Sequence, residues 1–258
     1  MNPLLALEFP PVSHLIEWPD FALQGNEYLA FNKIGLLSIV AALLSIGIIW
    51  FGARKAQLVP GRGQSFAESI VEFVRENIVM QTMGASGLVW MPFLLSVFLF
   101  VLFANSFGII PGIQMPVTAR MAVPALLAII VWVLYNAVGI KKQGLGGYLK
   151  STLLPPGVPK ALLPLVVLIE FVSTFLIRPF SLAVRLFANM LAGHLLLVTF
   201  AVLTAAVWSA TPLALIVPVT FATLVALTVF EVLVIVLQAF IFTMLTAVYI
   251  NLASHADH

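Results

Sequence analysis

From Leu186 to Phe230 the chain carries no Asp, Glu, Lys or Arg, and Arg185 stands directly before that run. The stretch around it, Ser181 to Leu197 (SLAVRLFANMLAGHLLL), sets no acid nearby to pair with it. A guanidinium keeps its proton at any accessible pH. Placing one at a bilayer centre costs at least ~2.5–3.5 kcal/mol. If the run lies in a membrane, Arg185 therefore marks a functional site. Composition puts it there. Of 258 residues 62% are apolar and 9% charged, and the mean hydropathy is +1.14. A soluble domain carries about 25% charged residues. Too few polar groups exist to coat a soluble sphere, so the chain reads as an all-α polytopic membrane protein.

The net charge of +2 is too small to point to nucleic acid as a partner. There is no cysteine, which excludes disulfides, thiolate metal sites and Cys nucleophiles. The first twenty residues have neither a basic n-region nor a small-residue cleavage site, and are not read as a signal peptide.

Residues 1–33, with Glu8, Glu17, Asp20 and Glu27 among prolines, read as an external N-terminal segment. Residues 34–160 hold three predicted spans, Ile34–Gly52, Leu88–Ile110 and Met121–Ile140, each free of charge and near the ~20 residues a crossing needs. Between the first two, at about 65–80, Phe66, Ile70, Phe73, Val74 and Ile78 share one helical stripe. Glu68, Glu72, Arg75 and Glu76 share the other. Ser65 with Glu68 has the spacing of a capping box. The glycine cluster at 144–147 follows no strand and has no phosphate-loop spacing.

Residues 161–258 hold two apolar stretches separated at Ser209-Ala210-Thr211-Pro212. Each would be roughly 60–70 Å long as helix, against a hydrocarbon core of ~30 Å. The prediction is five membrane-crossing helices plus one amphipathic helix, the last two long, tilted and antiparallel. Arg54, Lys55, Arg62, Arg75, Lys141, Lys142, Lys150 and Lys160 then fall on one side, and Lys33 and Arg120 on the other. By the positive-inside bias the N-terminus is outside and the C-terminus cytoplasmic.

After Lys160 the titratable or charged residues before the tail are Glu170, Arg178, Arg185, His194 and Glu231, with Asn189 and Gln238 as polar companions. In an antiparallel hairpin, Arg185 opposite Gln238 and His194 opposite Glu231 both fold the chain near Thr211-Pro212. Arg185 and Asn189 share a face at ~100° per residue, as do Glu231 and Gln238, while His194 points nearly opposite to Arg185. Glu170 lies ~22 Å of helix toward the cytoplasm. Plainer readings exist for most of these. Arg178, before Pro179, can snorkel or pair with Glu170. Glu170 can be interfacial, Asn189 a helix-contact residue, and His194 with Glu231 a packing hydrogen bond. Arg185 is the hardest to read that way, because no acid of this chain is placed to neutralise it.

These residues resemble the signature of subunit a of the F-type ATP synthase, the stator of a proton-driven membrane motor. The likeness rests on RLFANMLAGH (185–194) and FEVLVIVLQAFIFTMLTAVYINLA (230–253). The family carries one acid and one imidazole at positions 194 and 231, in either order. The resemblance implies inlet and outlet proton half-channels against a rotating ring of c-type proteolipid subunits. Arg185 would separate the two, with His194, Glu231, Asn189, Gln238 and Glu170 along the proton path. It implies peripheral-stalk b-type subunits, the rest of the F1Fo complex and membrane lipid as partners. It also implies a bacterial plasma-membrane location, no cofactor or metal, and no catalytic centre in this chain itself. Two rival readings fit the residues less well. A secondary transporter would use Arg185 as an intramembrane substrate site, but no inverted repeat is visible. An intramembrane hydrolase would need a nucleophile beside His194, and no serine is so placed.

Overall fold

The computed structural model describes residues 32–54, 61–110, 112–154, 158–159, 162–208 and 216–254. The expected external segment and the Ser209–Pro212 break lie outside the described residues, apart from the last two positions of the former. Among the described residues six α-helical elements follow in order, besides a 3-10 turn at Val117–Ala119. Helix α1 is Lys33–Arg54. Helix α2 begins as Arg62–Val74 and runs on through a π-helical turn, Arg75–Val79, to Met80–Thr82. Helix α3, Met91–Ser106, is led in by a 3-10 segment, Gly84–Trp90. Helix α4 is Ala122–Leu153. Helix α5 comprises Leu163–Phe171, a π-helical Val172–Ile177 and Arg178–Val207. Helix α6 is Val217–Ser254.

Five segments are long and apolar enough to cross a membrane, among them Leu163–Ala205 with 43 residues and Val217–Ser254 with 38. At 1.5 Å per residue both exceed a ~30 Å hydrocarbon layer, as the sequence predicts. The second crossing, Gly84–Ser106, starts and ends about a turn earlier than Leu88–Ile110.

Helix α2 does not cross. Its inner stripe is Ala67, Ile70, Val74 and Ile78, with Val74 and Ile78 fully buried. Phe66 stays exposed, and Phe73 lies on the flank against the rings of Phe98 and Phe240. The capping box is not formed. The helix starts a turn earlier, at Gly61, which caps it without a side-chain bond. Ser65 is thus inside the first turn, its N–H already bonded to the Gly61 carbonyl, and Glu68 accepts from Gln64 at 2.7 Å. An N-cap serine needs a non-helical backbone, which Ser65 no longer has.

Helix α4 is two helices in one. Gly144 breaks it with φ 71° and ψ 161°, a conformation only glycine adopts readily. The following turns fold back on the rod. The Tyr148 ring lies over Gly139, leaving no room there for a Cβ. The Tyr148 hydroxyl donates to Asn136 Oδ1 at 3.0 Å, and Ser151 to Gln143 Oε1 at 2.6 Å. The glycine cluster is therefore a reversal.

Two ends of the bundle are tied by long-range bonds. At one, Lys33 Nζ donates to the Ile113 carbonyl at 2.9 Å, joining the start of α1 to the turn between α3 and α4. At the other, Asn251 donates to the Thr82 carbonyl and Gln143 to the Ala253 carbonyl. One apolar core joins α2 to α6, including Val74, Leu99, Tyr135, Leu186 and Phe242.

Candidate functional site

The site sits on the seam between α5 and α6. The seam-facing stripe of α5 is Leu182, Ala183, Leu186 and Met190; that of α6 is Glu231, Ile235, Gln238, Ala239 and Phe242, all buried. Both sequences repeat at three or four residues, so each helix offers one continuous face to the other. The 3-10 turn Val117–Ala119 wedges in from outside the pair, with Ala119 against Met190 and Ile235. That turn is held by Thr118, whose hydroxyl donates to Oδ1 of the fully buried Asn105 on α3.

Three polar groups sit deep in this apolar setting. Glu231 and Gln238 are each 3% exposed and His194 4%. Asn189 Nδ2 donates to Gln238 Oε1 at 3.0 Å. The Glu231 carboxyl packs on Gly193, where a Cβ would lie 3.3 Å from Oε1. A Cβ there would require the carboxyl to give way by a few tenths of an ångström. Neither oxygen of Glu231, nor Nδ1 of His194, has a hydrogen-bonding partner. A buried polar atom left so costs ~1–3 kcal/mol, and native chains keep few of them.

The antiparallel pairing is as expected, but its register differs in one place. Gln238 is met by Asn189 and not by Arg185. The seam is centred on Leu186 and Met190, so residue 185 stands ~100° to the side of residue 186. Arg185 is half-buried on that flank. Among the described residues no hydrogen bond or ion pair reaches it; the ion pairs there join Arg75 to Glu72 and Glu76. His194 and Glu231 lie on adjoining levels, since Glu231 touches Gly193, but they are not bonded to each other. Glu170 is half-buried at the other end of α5, beyond the π-helical turn. Arg178 does not pair with it; its guanidinium lies 5.7 Å from the ring centre of Tyr249.

A cavity of about 490 Å³ reaches His194 from the end of the bundle where the α3–α4 turn lies. Gln114, Thr228 and Gly108 are among its lining residues. Thr228 is three residues before Glu231, one turn away on α6. Sequence reasoning missed this cavity and Gly193. The glycine had a legible signal: a helix-interior Gly costs about 0.8–1.0 kcal/mol against Ala, and it falls opposite an intramembrane acid when the hairpin is folded. Among the described residues no group of three His, Asp or Glu is placed to hold a metal ion.

Fold and site together define a polytopic helical membrane protein with uncompensated polar groups along its longest helix pair. A family profile described as ATP synthase A chain matches residues 35–251. The chain is 42% identical over 254 residues to the ATP synthase subunit a of Parafrankia sp. (strain EAN1pec), covering 96% of this chain and 85% of that one. It is 42% identical over 240 residues to the ATP synthase subunit a of Maricaulis maris (strain MCS10), covering 89% and 91%. It is 40% identical over 260 residues to that of Rhodococcus erythropolis (strain PR4 / NBRC 100887), covering 97% and 89%. The chain belongs to the ATP synthase A chain family.

The Gly193 contact yields a test at this level of the seam. Gly193→Val would drive a branched side chain into the Glu231 carboxyl. In membranes stripped of the soluble ATPase sector, passive proton flux per assembled complex should fall several-fold. Wild-type flux would mean that the close packing of Glu231 on residue 193 is irrelevant to conduction.

Proposed function

We propose that this chain is the stationary half of a rotary proton motor and conducts protons in two half-paths against a ring of small carboxyl-bearing subunits. The observation that carries the reading is Arg185, a permanent cation on the flank of α5 with no acid paired to it among the described residues. Its counter-charge then belongs to a neighbour. An ion pair at 4 Å is worth ~4 kcal/mol at an effective dielectric of 20, enough to hold a carboxylate briefly.

The inlet is the cavity that ends at His194, followed by the buried carboxyl of Glu231 and the Asn189–Gln238 pair. A proton handed along these groups neutralises a ring carboxylate. The neutral acid is far cheaper to carry through hydrocarbon than the ion, so the ring turns away from the inlet. The outlet is near Glu170, beyond Arg185 on α5. Arginine separates the two because it attracts the carboxylate yet yields no proton. ATP is made elsewhere in the assembly, and this chain supplies the translocation step. The ring proteolipids, peripheral-stalk b-type subunits and surrounding lipid are its partners in this reading.

Orientation follows from charge. Lys141, Lys142 and Lys150 lie at the end of the bundle where Gln143 meets Ala253, and that end is cytoplasmic under the positive-inside bias. The turn at 107–119 and the mouth of the His194 cavity are then outside, on a bacterial plasma membrane. The chain has no native cysteine, so single cysteines report cleanly. Gln114→Cys should label with an impermeant maleimide from outside intact cells, and Lys142→Cys only after permeabilisation. The reverse pattern would invert the topology.

Arg185→Ala should abolish ATP-driven proton pumping in vesicles while ATP hydrolysis by the soluble sector persists. Arg185→Lys should not restore it, because a buried lysine can shed its proton. Coupled pumping at the wild-type rate in Arg185→Ala would sink the assignment. Glu231→Gln and His194→Ala should both slow passive proton flux, most where protons are scarce, at alkaline outside pH. Flux that is unchanged at every pH would leave the two as packing residues.

A further inference from the structure

Helix α5 changes character just before the arginine. Pro179 has no N–H, and the turn ahead of it, Val172–Ile177, is π-helical. There the N–H of Arg178 bonds to the Ser173 carbonyl, five residues back. In an α-helix it would bond to Thr174, four back. The only other N–H that a five-residue register could offer Thr174 is that of residue 179, and proline lacks it. The Thr174 carbonyl is thus released from the helix ladder while the residue is 1% exposed. An orphaned carbonyl in an apolar interior is costly.

A side chain from another helix fills the vacancy. The Tyr135 hydroxyl of α4, also buried, donates to the Thr174 carbonyl at 2.8 Å. The same ring lies 5.8 Å from the ring of Tyr249 on α6. Tyr249 in turn carries the Arg178 guanidinium at 5.7 Å, a cation–π contact worth most where water is excluded. One chain of contacts therefore runs from α4 through the break in α5 to α6. Arg178 and Arg185 are seven residues apart, so they share a face to within ~20° and lie ~10 Å apart along the axis.

We infer that Tyr135, Tyr249 and Arg178 are positioning residues: together they clamp the proline break of α5 and so fix the height and azimuth of Arg185. The π-helical turn alone is a place where the helix can slip between registers. A slip of one residue there rotates everything beyond it by ~100° and carries Arg185 off its flank. The clamp holds one register by satisfying the carbonyl that this register exposes and by fixing the first residue after the turn. None of the three touches the transferred proton. The inference rests on the reading of Arg185 given above.

The test separates geometry from conduction. Asn189→Cys with Gln238→Cys makes a disulfide pair across the seam in the assembled complex, and its oxidation rate reports the register of α5 against α6. Tyr135→Phe removes only the hydroxyl, and Tyr249→Leu removes the ring face. Each should slow that disulfide several-fold, while Tyr249→Phe, which keeps the ring, should leave it unchanged. With the native residues at 189 and 238, Tyr135→Phe and Tyr249→Leu should lower ATP-driven pumping per assembled complex several-fold. A role in bulk stability alone would lower the amount of complex and not its turnover. Unchanged disulfide rates in Tyr135→Phe and Tyr249→Leu would overturn the clamp, whatever Arg185→Ala does. So would Tyr249→Phe being as damaging as Tyr249→Leu. A slowed disulfide beside an Arg185→Ala protein that still pumps would instead keep the clamp and refute the motor reading beneath it.

Discussion

A guanidinium cannot be neutralised by losing its proton, and an apolar interior tolerates it only beside an opposite charge or close to water. Among the described residues no acid is paired with Arg185. Its neighbours on the seam, Leu186 and Met190, are fully buried and apolar, and the acid two turns outward, Glu231, packs instead on Gly193. In the proposed motor, the surrounding architecture keeps that cation presented on the flank of α5. The seam is packed tightly enough to hold α5 against α6, and its polar members sit on levels beyond the arginine. The turn between α3 and α4 props the pair from outside through Ala119.

Polar groups in this molecule fall into two kinds, and the difference is physical. Tyr148 with Asn136 and Tyr135 with Thr174 are bonded and buried, and the exposed Asn189 is bonded to the buried Gln238; they fix shape. Glu231 and His194 are buried with atoms left unbonded. They are also the ones that a cavity approaches or a glycine makes room for. A proton path needs groups whose bonding can change at each step.

The crossings were legible because hydrocarbon imposes one rule, about twenty apolar residues per span, and the chain obeys it. The long final pair and its antiparallel sense were legible too, since the polar residues of α5 and α6 fold onto one another about a single point. Local geometry was not. The spacing of Ser65 and Glu68 suited a cap, yet the helix began at Gly61, and no pattern of charges fixes which turn starts first. Seven-residue spacing put Glu231 and Gln238 on one face correctly. Residue 185 was set opposite Gln238, whereas Asn189, one turn further along the same face of α5, is the residue that reaches it. The π-helical turn had a signal in Pro179, but which hydroxyl would answer the freed carbonyl depends on α4, far away in sequence.

The central claim is that the partner of Arg185 lies on another polypeptide. Electron cryo-microscopy of the intact complex in a lipid environment tests it most directly, at a resolution that shows side chains. The account predicts the guanidinium facing carboxyl side chains of an adjacent ring, with no Glu of its own chain in hydrogen-bonding reach. An Arg185 bonded to Glu170 or Glu231, or turned toward lipid with no neighbouring acid, would contradict it.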